Sequence, residues 1–247
     1  MNTAGHKSLS TRELVVGYDG NGILPPIDLT IERGSIWVVL GRNGAGKTSW
    51  MRTVLGLLPA VSGQVTKAPG TRLAYVPQRQ VLDPIVPVRA ADVVAMGAEH
   101  GLSFLKPFGK VLREKVTSAL AEMGIDDLSN KPFRDLSEGQ KQKVLLARCI
   151  AGGPDIVFLD EPMATMDIVA EREVLGLIQD LRQRRGTTVV IVAHHLQVAA
   201  NLADGVLFVD KDAQTVCAGT PREVFEHSSF RHRYGDLAMG LFKDMQQ

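Results

Sequence analysis

The chain has 247 residues, a formal net charge of +1 and 45% hydrophobic residues. That length suits one large domain or two small ones, able to bury about 70–75% of the unfolded chain's surface. The near-neutral balance argues against nucleic acid or a strongly anionic membrane as partner, and two cysteines without a CxxC pair argue against a disulfide scaffold or structural zinc.

The first ten residues are polar and carry no apolar core of a secretory signal. Residues 13–18 are rich in Val and Leu and read as a strand. Residues 27–31 alternate apolar and polar, as a half-buried strand does. Residues 35–40 form a nearly continuous apolar run, which suits a strand buried on both faces. A Gly-rich turn and a helix from Lys47 to about Leu58 follow. Residues 84–135 read as helical, with breaks at Pro84, Pro87, Gly101, Pro107 and Gly109; Leu112, Val116, Leu120 and Met123 share one helical face. A helix from about Gln140 to Ala151 stops at Gly152-Gly153-Pro154. Residues 155–159 and 187–193 are two more buried-strand runs. Between them, 168–185 carries Val174, Leu177, Ile178 and Leu181 on one helical face, and Gly186 supplies the stop. Thr220-Pro221-Arg222-Glu223 is a capping box with Pro at the first helical position. The last twenty residues give no clear signal. No apolar run approaches the roughly 18 residues that cross a bilayer. The expectation is a soluble, intracellular α/β chain: a mainly parallel, helix-covered sheet with a helical insertion over about 84–150, all in a single domain spanning 1–247 with an unassigned tail at 228–247.

Gly41-Arg42-Asn43-Gly44-Ala45-Gly46-Lys47-Thr48 matches the complete phosphate-loop pattern GxxxxGK[ST], between a buried strand and a helix. Its glycines let backbone N–H groups approach a polyphosphate, and the helix start adds partial positive charge. Lys47 is expected on the β- and γ-phosphates and Thr48 on Mg²⁺. In Asp155-Ile156-Val157-Phe158-Leu159-Asp160-Glu161-Pro162 an apolar strand ends in two acids. Adjacent strand residues point to opposite sides, so the acids have separate tasks: Asp160 holds Mg²⁺ through water, and Glu161 is the general base for an attacking water. Two acids at a strand end are also ordinary in a solvated turn. The complete phosphate loop in the same chain favours the catalytic reading.

Leu136-Ser137-Glu138-Gly139-Gln140 is, by itself, a capped helix start. Its place in the order changes its meaning. A phosphate loop, LSEGQ, FLDEP about twenty residues on and a His after a further buried strand resemble the nucleotide-binding subunits of ATP-binding-cassette (ABC) proteins, whose signature is usually LSGGQ. The resemblance runs from about Glu13 to Glu226. It implies a P-loop α/β core with an antiparallel β subdomain and a helical subdomain, and ATP hydrolysis with ATP and Mg²⁺.

The resemblance also assigns roles. Tyr18 takes the place of an aromatic that stacks on adenine, and Ser49 joins residues 41–48 in the ATP site. Gln78, in Tyr75-Val76-Pro77-Gln78, takes the place of a glutamine that touches Mg²⁺ and the attacking water. His194 takes the place of a switch histidine at the γ-phosphate; His195 receives no role. Ser137, Glu138, Gly139 and Gln140 would face the ATP of a partner subunit. Glu138 stands where the family has glycine, so its carboxylate is expected to point away from the phosphate. Asp167 falls at the loop that contacts the opposite subunit, where Thr165-Met166-Asp167 replaces the usual Ser/Ala-Leu-Asp.

One set of motifs requires a second ATPase subunit, identical or paralogous. The absence of a membrane-spanning run implies a separate integral permease on whose cytoplasmic side this subunit sits, with a substrate-binding protein as a further component and no nucleic acid. The stretch from Leu82 to Gly97, including Ala91-Asp92-Val93-Val94-Ala95-Met96-Gly97, is weakly similar to zinc, manganese and iron(III)-chelate uptake ATPases, and residues 79–110 are expected to hold much of the docking groove. The six histidines lack metal-site spacing, so a transported metal is seen by other subunits. An exporter or lipid-trafficking ATPase, or a non-transport ABC ATPase, shares the same catalytic residues. Repair types carry long coiled coils and translation types two cassettes, neither of which is visible here.

Overall fold

The computed structural model of the chain describes residues 7–78, 88–98, 109–164 and 166–235. The chain opens with β1 (Lys7–Val15), a small hairpin of β2 (Gly17–Tyr18) and β3 (Asn21–Gly22), β4 (Ile27–Glu32) and β5 (Ile36–Leu40). It continues through α1 (Lys47–Leu55), β6 (Ser62–Lys67), β7 (Leu73–Val76), α2 (Ala90–Ala98) and α3 (Lys110–Glu122). Two 3-10 turns, Asp126–Leu128 and Phe133–Asp135, lead to α4 (Glu138–Ala151), β8 (Ile156–Asp160), α5 (Ile168–Arg185) and β9 (Thr188–Val192). Then follow α6 (Leu196–Leu202), β10 (Gly205–Asp210), β11 (Thr215–Gly219), α7 (Pro221–Glu226) and α8 (Ser228–Tyr234).

The central sheet has the order β11-β10-β5-β9-β8-β7, parallel except for the β10–β11 pair. A second sheet, β4-β1-β6, is antiparallel. The central strands are apolar throughout because both faces are covered. Their alternate residues feed two cores. Ile36, Val38, Leu40, Val157, Leu159, Val189 and Ile191 meet α2 to α8 on one side. Val39, Ile156, Phe158, Val190 and Val192 meet α1 on the other, where Trp50, Met51 and Val54 are sandwiched against Leu9, Leu14, Ile27 and Ile31 of the antiparallel sheet. Each such fully buried aliphatic or aromatic side chain contributes about 1.5–3 kcal/mol. The fold is thus α/β, a mainly parallel sheet with an added antiparallel sheet and a helical layer. Among the described residues no helix is long and apolar enough to cross a membrane.

Several expectations shift at their edges. The strand expected at 13–18 is two elements. β1 begins at Lys7, and Glu13 at φ 47° bulges it where the pairing with β4 and β6 changes register. The early half, Lys7 to Arg12, was hidden by its polar residues. α1 ends at Leu55, short of Leu58, because Gly56 turns left-handed and its N–H closes the helix on Thr53. β6, β7, β10 and β11 had no sequence expectation. Nor had α8 in the tail: Phe230 and Tyr234, one helical turn apart, pack on Phe208, and Arg233 grips the buried Asp210 carboxylate, its Nη2 2.8 Å from Oδ1. Most of the expected docking groove at 79–110 and residues 82–87 of the subfamily signal lie outside the described residues, as does Thr165.

The helical layer depends on one glycine. A Cβ on Gly97 of α2 would lie 1.8 Å from the Arg148 carbonyl oxygen of α4. Gly97→Ala must therefore pry the two helices apart, and it should lose about 3 kcal/mol. The measurement is the denaturant midpoint at unchanged m-value; an unshifted midpoint would show that α2 and α4 are not this close.

Candidate active site

The phosphate loop joins β5 to α1. Its last glycine, Gly46, sits at φ 100° with a Cβ position 2.9 Å from Leu24 Cδ1, so only glycine fits. The Ala45 N–H donates to the Arg42 carbonyl (3.1 Å), and Arg42, Asn43 and Gly44 face solvent while Gly41, Ala45 and Gly46 are buried. The first turn of α1 contains no acidic residue to offset the helix dipole. The Lys47 side chain is only 5% exposed and folds back over the loop, its ammonium donating to the carbonyls of Gly41 (2.7 Å) and Arg42 (3.0 Å). Burial pulls the Lys47 pKa down, and the carboxylates of Glu161 and Asp160 oppose that pull. A nearly dry cation with only carbonyls at bonding distance is well prepared for a phosphate oxygen.

Asp160 ends β8 on the face shared with α1. The Thr48 hydroxyl donates to its Oδ1 (3.3 Å) and the Tyr75 hydroxyl to its Oδ2 (3.3 Å). Burial raises the Asp160 pKa, while the bonds from Thr48 and Tyr75 lower it. Burial also raises the Tyr75 pKa, reinforced by the Asp160 charge and opposed by Arg52, so the phenol stays a donor. Thr48 and Asp160 form a hard oxygen pair of the kind Mg²⁺ takes when nucleotide phosphates and water supply its remaining ligands. No cluster of three or more His, Cys, Asp or Glu able to cage a metal occurs among the described residues.

Glu161 follows in the turn beyond β8. Its backbone is left-handed at φ 48°, a conformation costing on the order of 1–2 kcal/mol in a non-glycine residue, and its N–H is anchored on the Val192 carbonyl at the end of β9 (3.0 Å). The carboxylate has three polar neighbours. Gln78 Nε2 donates to Oε2 (2.7 Å), Lys47 Nζ lies 3.8 Å from Oε1, and His194 Nδ1 lies 3.8 Å from Oε2. Burial, then the adjacent His195 ring 4.0 Å away, depress the His194 pKa, which favours the neutral imidazole at pH 7.

Tyr18 is 50% exposed at the end of β2, and its hydroxyl shares a 2.9 Å hydrogen bond with the Ser49 hydroxyl of α1. An open aromatic face thus stands over the first turn of the loop helix. The other group of expected residues starts two neighbouring helices. Ser137 caps α4, with a reciprocal bond from its own N–H to Gln140 Oε1 (3.0 Å). Glu138 pairs with Lys141 (2.8 Å) along the exposed helix side. Asp167 caps α5 through the Ala170 N–H (2.8 Å). Gly139 lies against Ala170, where a Cβ would sit 3.3 Å from that methyl, so the two helix starts adjoin.

Two clusters result. Tyr18, Ser49, Lys47, Thr48, Asp160, Gln78, Glu161 and His194 converge beside the phosphate loop. Ser137 to Gln140 and Asp167 form a second patch, and none of their hydrogen bonds reaches the first. Sequence reasoning missed Tyr75. Its available signal was a polar tip in the apolar strand run directly before Gln78.

A protein-family profile described as ABC transporter matches residues 24–164. The chain belongs to the ABC transporter family. Within it, this ATPase subunit is 34% identical over 229 residues to the zinc import ATP-binding protein ZnuC of Pseudomonas fluorescens, covering 93% of this chain and 83% of that protein. It is also 34% identical over 228 residues to the manganese transport system ATP-binding protein MntB of Bacillus subtilis, covering 90% of each. Among solved structures, a chain assigned to an inward-facing metal-chelate type ABC transporter superposes with a TM-score of 0.83 at 28% identity, over 92% of this chain and 88% of that one. The ATP-binding cassette MJ1267 shares the fold, with a TM-score of 0.80 at 19% identity over 92% of this chain and 98% of that one.

Proposed function

We propose that the chain is the ATP-hydrolysing subunit of a membrane importer of metal ions or metal chelates. It works as a two-subunit ATP sandwich on the cytoplasmic face, docked on a permease and served by a substrate-binding protein. The observation that carries the ATPase half is the meeting of Lys47, Gln78 and His194 on the Glu161 carboxylate, directly beside the phosphate loop. The cargo half rests on the zinc and manganese transport ATPases that this chain resembles over nine-tenths of its length.

In this reading the loop N–H groups and Lys47 bind the β- and γ-phosphates, and the Tyr18 ring stacks on adenine. Thr48 and Asp160 would hold Mg²⁺, which would supply charge neutralisation for the phosphates. Glu161 accepts the proton of the attacking water, Gln78 orients that water, and neutral His194 donates to the γ-phosphate. A partner's Ser137 and Gly139 complete the site, and this chain's own signature serves the partner. The exposed apolar pair Ile168 (70%) and Val169 (68%), directly after Asp167, supports a covered face at that position.

Affinity purification of the native chain from membranes, followed by mass spectrometry, is expected to bring down a multi-span membrane protein. Deletion of the gene is expected to lower cellular zinc, manganese or iron on metal-limited medium. Purification without a membrane partner would overturn the transport reading, and unchanged contents of all three metals would overturn the cargo.

A further inference from the structure

Tyr75 is a side chain in the site to which the sequence assigned no role. It lies on β7, the edge strand beside β8, in parallel register: Tyr75 opposite Phe158 and Val76 opposite Leu159. That register sends the Tyr75 side chain to the face of the sheet occupied by α1, with Phe158 and Trp50. There its ring is packed and its hydroxyl reaches Asp160 Oδ2 at 3.3 Å. The opposite oxygen, Oδ1, receives the Thr48 hydroxyl at 3.3 Å. A hydrogen bond at Oδ2 restrains rotation of the carboxylate about its otherwise soft terminal bond, which favours one direction for Oδ1. Three residues further along, Gln78 reaches the Glu161 carboxylate at 2.7 Å. β7 and the two residues that follow it therefore make contact with both acids.

We propose that Tyr75 is a positioning residue: its hydroxyl holds Oδ2 of Asp160 so that Oδ1 and the Thr48 hydroxyl are set together for Mg²⁺, and β7 links that setting to the place of Gln78. The inference rests on the ATP and Mg²⁺ reading above. A packing role alone belongs to the ring. A metal-orienting role belongs to the oxygen, and removing that oxygen separates the two.

The test is Tyr75→Phe in the full chain, read by equilibrium binding of a fluorescent ATP analogue, first in EDTA and then during Mg²⁺ titration. Asp160→Asn serves as the comparison. In EDTA, Tyr75→Phe should bind the analogue within about two-fold of wild type, because the phosphate loop is intact, and its Tm should be unchanged. The Mg²⁺ concentration giving half of the metal-dependent change should rise about 3–10-fold, the range expected for loss of one hydrogen bond of ordinary net strength that acts on the metal only through Asp160. Asp160→Asn should lose most of the Mg²⁺ response. If wild type responds to Mg²⁺ and Tyr75→Phe has the same half-saturation, the positioning role is overturned while the ATP reading stands. If wild-type binding ignores Mg²⁺ altogether, the metal reading falls and this inference falls with it. A Tyr75→Phe protein weakened equally in EDTA would assign the tyrosine to the loop's packing, and that too would overturn the proposal.

Discussion

Glu161→Gln is expected to bind ATP with near-wild-type affinity and to release phosphate roughly 10²- to 10⁴-fold more slowly. The carboxylate sits at the meeting point of Gln78, Lys47 and His194 and is held there by a backbone in a costly left-handed conformation. Its neutral isostere keeps the volume and can still accept from Gln78, but it cannot take a proton from water. A proton acceptor in the transition state is worth about that factor. ATP binding draws mainly on the loop N–H groups and Lys47, none of which changes. Because the slow step then lies after binding, the variant should also accumulate as a nucleotide-bound dimer at micromolar ATP, visible by light scattering after gel filtration. Wild-type phosphate release from Glu161→Gln would remove Glu161 from the role of base.

Lys47→Ala is the second large effect. The ammonium is buried, bonded to two loop carbonyls, and 3.8 Å from Glu161. Its desolvation is already spent in the folded chain, as the downward pull on its pKa records. A charge-assisted bond is worth about 1.5–3 kcal/mol, and Lys47 is expected to serve two phosphates. Nucleotide affinity should therefore fall about 100-fold, measured by calorimetric titration. The alanine also frees the Gly41 and Arg42 carbonyls, so the loop should loosen as well as lose charge. Removing a cation beside Glu161 leaves that acid without its nearest positive charge, which compounds the loss in turnover. Equal dissociation constants for variant and wild type would sink the phosphate-loop assignment.

How much of this was legible beforehand depended on how local each signal was. Gly41 to Thr48 is contiguous, and its spacing is imposed by the ligand, so it reads directly. Asp160 and Glu161 read as acids at the end of an apolar strand, but their separate placements follow from the strand's alternation and from the anchor of Glu161 on Val192. Gln78 and His194 came from the family resemblance; by itself Gln78 reads as an ordinary loop glutamine, and His194 is set apart only by its place at the end of a core strand. Tyr75 escaped notice because its significance lies in what β8 carries next to it. The early half of β1 and all of β6 escaped for the opposite reason: they are mostly polar, with Ser8 and Thr11 of β1 buried and β6 largely exposed, so they lack the apolar run that marks β5, β8 and β9. α8 escaped because two turns with one buried Phe230 look like a tail until Phe208 and Asp210 receive them.

The sequence by itself determined the chemical inventory and its order: a phosphate loop, a capped signature, two acids at a strand end and a histidine after another strand. Those are properties of contiguous residues, and local rules of backbone and hydrogen bonding reach them. Only the tertiary structure decided that Lys47, Gln78, Glu161 and His194 share one place while Ser137 and Asp167 share another. The reason is the crossed strand order, in which β9 lies between β5 and β8 and β7 lies outside β8. Parallel neighbours are about 4.8 Å apart, so the segments leaving the C-terminal ends of four strands far apart in the chain become adjacent. No spacing along the chain encodes that adjacency. It follows from which apolar faces the helices can cover.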